Sequence, residues 1–125
     1  MPNRQILAVV EDLFFTVKIN ESAKRAGMTV QFVKTEQDAL AQAAARPALI
    51  IIDLNLARID PLKLIAELKA NPETKDIGLL GYLSHVQGEL KQKAQEAGCD
   101  LVMVRSAFSQ NLPQILRRYS ASPAS

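Results

Sequence analysis

"PALIIIDLNLARID", residues 47–60, sets an acidic side chain at the end of an unbroken apolar run. Ala48-Leu49-Ile50-Ile51-Ile52 is far short of the ~18 apolar residues of a membrane span, and too β-branched for a comfortable helix. It reads as a strand buried on both faces, as strands of parallel sheets are. A carboxylate inside such a run would lose its hydration with nothing to offset the loss, so Asp53 belongs at the strand's mouth, beside a partner or ligand.

Outward from that strand, strand and helix patterns alternate. "ILAVV" (6–10) reads as a buried strand, and Phe15, Ile19, Ala23 and Ala26 follow at helical spacing, with Gly27 as the stop. "TVQFV" alternates with period two. Thr35 can cap a helix through "EQDALAQAAA", which Arg46-Pro47 ends. Beyond the central strand, Asp60 suits an N-cap and Pro61 a first helical residue, with Leu64, Ile65 and Leu68 facing inward. "NPETKD" is a loop, and "IGLLGYL" a strand weakened by Gly78 and Gly81. "GELKQKAQEAG" is a helix with Leu90, Ala94 and Ala97 inward and Gly98 as its stop. "LVMV" is the fifth strand and "SQNLPQILRRY" a final short helix. Phe14, Phe15 and Phe108 read as core packing.

Five βα units with short, right-handed crossovers predict an α/β doubly wound, five-stranded parallel sheet, a flavodoxin-like (βα)5 sandwich. Residues 1–119 form one domain, and "SASPAS" (120–125) a frayed, disordered tail. The chain has 125 residues, 48% of them apolar, with 15 Lys+Arg against 13 Asp+Glu. The basic residues are scattered, so neither nucleic acid nor a membrane is an expected partner. The N-terminal apolar stretch is too short for a signal peptide, and the protein is expected to be cytoplasmic. A single cysteine, Cys99, excludes an internal disulfide and a cysteine-rich metal site, and reads as a small buried filler.

In a doubly wound sheet the site lies outside the carboxyl ends of the strands. Glu11 and Asp12 fall there after strand one, Asp53 and Asn55 after strand three, Ser84 and His85 after strand four, and Arg105 and Ser106 after strand five. Carboxylates around an oxygen-rich cavity suit a hard cation such as Mg2+, and a hydroxyl with a fixed positive charge suits phosphate oxygens. A screened Asp53 could then act as a nucleophile toward a phosphoryl donor. The plainer alternative is that Glu11 and Asp12 cap the first helix and Arg105 pairs with Asp53. As the only histidine, His85 cannot build a histidine metal site and reads as a loop residue.

From Ile6 to Leu116 the chain resembles the response-regulator receiver domain of two-component systems. Asp53 in "IIDLNL" matches the phosphoacceptor, and Asn55 the residue whose main-chain carbonyl meets the metal. Asp60 matches a frequent acid seven residues on, and "EAGCDLVMVR" the run leading to the strand-five lysine, with Arg105 in the lysine's place. The resemblance implies Glu11, Asp12, Asp53 and Asn55 as metal ligands, with Asp53, Ser84 and Arg105 carrying the phosphoryl chemistry. Glu11 and Asp12 match the acidic pair if one residue is deleted before them, and Ser84 the switch hydroxyl if the next loop is one residue short. Ala57 and Pro61 replace the family's proline and glycine after the phosphoacceptor. Val102 stands where the switching aromatic does, and Ser106 where the proline does. The resemblance is to an atypical receiver.

Three functions follow. One is a stand-alone, non-enzymatic receiver of a phosphorelay, phosphorylated on Asp53 by a histidine kinase or served by another signalling protein, with output through protein–protein contact. Another is a pseudo-receiver interaction module that is not phosphorylated, with Arg105 pairing Asp53. The third is a small-ligand-binding flavodoxin-like domain, for which no motif speaks.

Overall fold

The computed structural model describes residues 5–84 and 88–121, with side chains to residue 119. His85, and residues 122–125 of the expected tail, lie outside the described residues. Strands β1 (Gln5–Val9), β2 (Thr29–Val33), β3 (Leu49–Asp53), β4 (Gly78–Leu83) and β5 (Leu101–Val104) alternate with helices α1 (Leu13–Arg25), α2 (Glu36–Ala43), α3 (Pro61–Ala70), α4 (Gly88–Ala97) and α5 (Arg105–Ala121). All four neighbouring pairs are parallel, in the order β2-β1-β3-β4-β5. This is the doubly wound sandwich expected from the sequence.

The central strand explains the layering. Every residue of β3 is buried, because its alternate side chains enter two different cores. Leu7, Val9, Ile50, Ile52, Leu79 and Leu83 pack against Ala39, Leu64, Ile65, Leu68 and Ala94 of α2, α3 and α4. On the other face Ile6, Ala8, Leu49, Ile51, Leu80 and Tyr82 meet Phe15 and Ile19 of α1 and Phe108, Leu112 and Leu116 of α5. Asp12, Thr35 and Asp60 are N-caps, each accepting from amides of the first turn, and Pro61 opens α3. Gly98 follows α4 at φ 117, where a Cβ would lie 2.6 Å from Lys69 Cγ. Cys99 is buried as expected.

Three expectations are corrected. The last helix starts at Arg105, directly after β5, and runs through Pro113 for 17 residues. Proline removes only one helical hydrogen bond, to the Ser109 carbonyl, and the burial of Phe108, Leu112 and Leu116 at four-residue spacing outweighs that loss. Phe14 is 65% exposed, because the buried stripe of α1 is Phe15, Ile19 and Ala23 and Phe14 lies about 100° away around the helix. Gly81 does not weaken β4 without return, since a Cβ there would sit 3.0 Å from Leu54 Cδ1. Its missing side chain makes room for that core leucine.

Candidate functional site

Right-handed crossovers bring the ends of β1, β3, β4 and β5 to one edge, and the local sequence decides how each polar side chain is held there. Asp12 leaves β1 with extended backbone and turns its carboxylate onto α1: Oδ1 accepts from the amides of Phe14 at 2.8 Å and Phe15 at 3.4 Å. Its other oxygen, Oδ2, faces Arg105 Nη2 at 3.6 Å. The helix-cap alternative thus describes Asp12. Glu11 instead sends Oε1 to within 3.5 Å of Arg58 Nε, a charge contact without a hydrogen bond.

Asp53 ends β3 and is only 6% exposed. Its Oδ1 accepts from the Asn55 amide at 2.9 Å, and the Asn55 side-chain oxygen accepts from the Ser84 amide at 2.7 Å. Asn55 therefore ties the end of β3 to the end of β4. Burial pushes the Asp53 carboxyl above the usual carboxylate range, against the pull of the Asn55 amide and the Arg105 charge. The negative charges of Asp12 and Glu11 push it further the same way.

Arg105 is the first residue of α5, and its guanidinium lies over the Phe15 ring at 5.1 Å. That stacking turns it toward α1 and Asp12. No Arg105–Asp53 contact falls within ion-pair distance, so the alternative in which Arg105 pairs with Asp53 gives way to an Arg105–Asp12 pair. Arg105 still lowers the Asp53 carboxyl through space. Beside it a cavity of about 460 Å³ opens between the starts of α1 and α5. Asp12, Phe14 and Phe15 form one wall, with Ser84, Arg105, Ser106 and Ser109 opposite.

Two residues escaped the sequence reading. Arg58 stands in the loop after β3, and its only signal was being a cation at the carboxyl edge of the sheet. Tyr82 lies opposite Asp53 in the β3–β4 ladder and is fully buried. Its ring stacks on Phe108 at 4.7 Å and packs on Phe15 at 5.0 Å, while its hydroxyl meets no partner. Burial, and next the charge of Asp53, push the Tyr82 phenol's ionisation upward. The period-two pattern of "GLLGYL" does place Tyr82 on the α1/α5 face with Leu80.

The expected metal ligands Glu11, Asp12, Asp53 and Asn55 all reach this edge, where the charges of Asp12 and Glu11 act on the Asp53 carboxyl. Among the described residues no group of three or more His, Cys, Asp or Glu is arranged to hold a metal ion. A hard cation needs carboxylate oxygens turned toward it, whereas Asp12 points at its own helix and an arginine, and Glu11 at a second arginine. As arranged, two of the four expected donors, Asp12 and Glu11, each face an arginine.

No family model and no curated protein matches the chain. Solved structures do. The phosphorylated cyanobacterial phytochrome response regulator RcpA matches with a TM-score of 0.80 at 23% identity, covering 98% of this chain and 97% of its own. A response regulator from Hahella chejuensis gives 0.83 at 17%, covering 94% and 95%. The receiver domain of the Pseudomonas aeruginosa sensor histidine kinase PA1611, with magnesium coordinated in its cleft, gives 0.80 at 20%, covering 96% and 99%. The chain has the fold of response-regulator receiver domains. Among the described residues no helix is long and apolar enough to cross a membrane.

Proposed function

We propose that the protein is a receiver-like signalling module that acts through protein–protein contact, its acidic edge neutralised by arginines instead of by a metal-dependent phosphoryl cycle. The observation that carries this reading is the pairing of Arg105 with Asp12 and of Arg58 with Glu11. Two guanidinium groups bring positive charge to the acids, and Arg105 lies over the Phe15 ring beside Asp12. The partner class is a histidine kinase or another signalling protein.

A phosphorylated-receiver reading has its own support. Asp53 stands at the carboxyl end of β3 with Asn55 and Ser84 beside it, and structurally similar proteins include a phosphorylated regulator and Mn2+- and Mg2+-bound receivers. Intact mass measurement after incubation with acetyl phosphate and Mg2+ separates the two. The expected result is no added phosphoryl group. A hydroxylamine-labile adduct that Asp53→Asn lacks would restore the phosphorylated receiver.

A further inference from the structure

Among the described residues, the buried side-chain atoms without a hydrogen-bond partner are Glu11 Oε1, Tyr82 Oη and Arg105 Nε, and all three lie at the carboxyl edge of the sheet. Folded proteins satisfy nearly all such atoms, so three at one edge mark a place with work to do. The cavity beside Arg105 opens at that edge; of the three residues Arg105 lines it, whereas Glu11, Tyr82 and Asp53 are not in its lining.

Hydrogen-bond accounting indicates what the cavity would accept. Among the described lining residues Asp12 is the one carboxylate, and it already receives two amides and faces Arg105. The Nη groups of Arg105 stand on the donor side, while the hydroxyls of Ser106 and Ser109 can donate as well as accept. The guanidinium carries donors and no acceptor, and the serine hydroxyls adapt to either role, so a group made of acceptors is the fitting visitor. A carboxylate matches a guanidinium fork in plane and spacing.

Charge narrows the class. Asp12 shares the Arg105 charge and Asp53 stands close by, so a dianion would meet more repulsion than a monoanion. The opposite wall carries Phe14, whose ring is largely exposed, and the volume is within the ~300–1,000 Å³ of small-molecule sites. We infer that this cavity binds a small monocarboxylate with an aromatic or apolar body, non-covalently, with its carboxylate on Arg105 and Ser106 and its body against Phe14. The inference deepens the pseudo-receiver reading and rests on it, because it requires Arg105 to be uncommitted to a phosphoryl group on Asp53.

Titration of the 15N-labelled full chain with benzoate tests it, with benzamide as the uncharged and phenyl phosphate as the dianionic comparator. Benzoate should shift Phe14, Ser106 and Ser109 saturably, and benzamide and phenyl phosphate should bind more weakly. Arg105→Gln should weaken benzoate by roughly tenfold or more. Ser106→Ala, which leaves the arginine and its stacking in place, should weaken it by a smaller factor. Asp53→Asn should bind as well as or better than the parent. Absence of saturable shifts, undiminished binding in a folded Arg105→Gln or Ser106→Ala, or tighter binding of either comparator would overturn the inference. So would loss of binding in Asp53→Asn. Acetyl phosphate labelling of the same preparations scores the pseudo-receiver reading separately: a labelled Asp53 sinks that reading, whereas an unlabelled protein that ignores benzoate sinks only the ligand.

Discussion

Arg105 Nη2 lies 3.6 Å from Asp12 Oδ2 while its guanidinium covers the Phe15 ring. The same α1 residues that cap and pack the helix therefore also claim the cation that a receiver-like site would place against Asp53. Asp12 and Arg105 side chains are 33% and 38% exposed, so solvent screens the pair. Partly exposed ion pairs contribute ~0–1 kcal/mol, and stacking on an aromatic ring adds ~0.5–1 kcal/mol. Arg105→Ala should lower unfolding stability by about 1 kcal/mol, less in high salt, as read by urea denaturation.

Mg2+ provides a second measurement. A ligand binding only the native state at a hundredfold excess over Kd adds about 2.7 kcal/mol. With its acids turned to arginines, the protein should show the same denaturant midpoint with and without millimolar Mg2+. A rise that disappears in Asp53→Asn would mean that the carboxylates reorient around the ion.

The raised Asp53 carboxyl gives a pH dependence of definite sign. Between its unfolded and folded pKa values the native state holds the proton that the unfolded chain has released, so stability falls as pH rises through that window. The contribution is fully present below the unfolded value and gone above the folded one. Asp53→Asn keeps the oxygen that accepts from the Asn55 amide and removes the ionisation. It should be more stable than the parent at neutral pH, with the difference closing in acid, as thermal melts across pH will show.

Tyr82→Phe removes a hydroxyl that meets no partner and leaves the stacked ring in place. A buried unsatisfied polar group costs ~1–3 kcal/mol, so the substitution should be neutral or stabilising by up to about that amount in chemical denaturation. A clear loss of stability would reveal a hydrogen bond that the hydroxyl makes in solution.

Gly98→Ala should act at the opposite edge of the sheet. Positive φ and the approach of Lys69 Cγ both oppose a Cβ, while Lys69 is anchored to Asp100 at 2.9 Å. Roughly 1–2 kcal/mol of destabilisation is expected from the backbone alone, with no change in benzoate binding at the other edge.

Much of this molecule was legible from local pattern. The apolar run before Asp53 has the signature of a strand covered on both faces, and the caps Asp12, Thr35 and Asp60 mark helix starts wherever they appear. Those signals, with the handedness of crossovers, determine the fold and the edge on which the polar residues gather. What only the tertiary structure decided is which of those residues face one another. Asp12 and Arg105 are 93 positions apart in the chain, and their meeting depends on Phe15 holding a guanidinium above its ring. The reach of Arg58 to Glu11 and the burial of Tyr82 between Phe15 and Phe108 likewise arise from packing between segments remote in sequence. Periodicity reports which face of its own element a residue occupies; ångström-scale distances between elements set its charge partner, and those exist only once the cores on both sides of the sheet have closed.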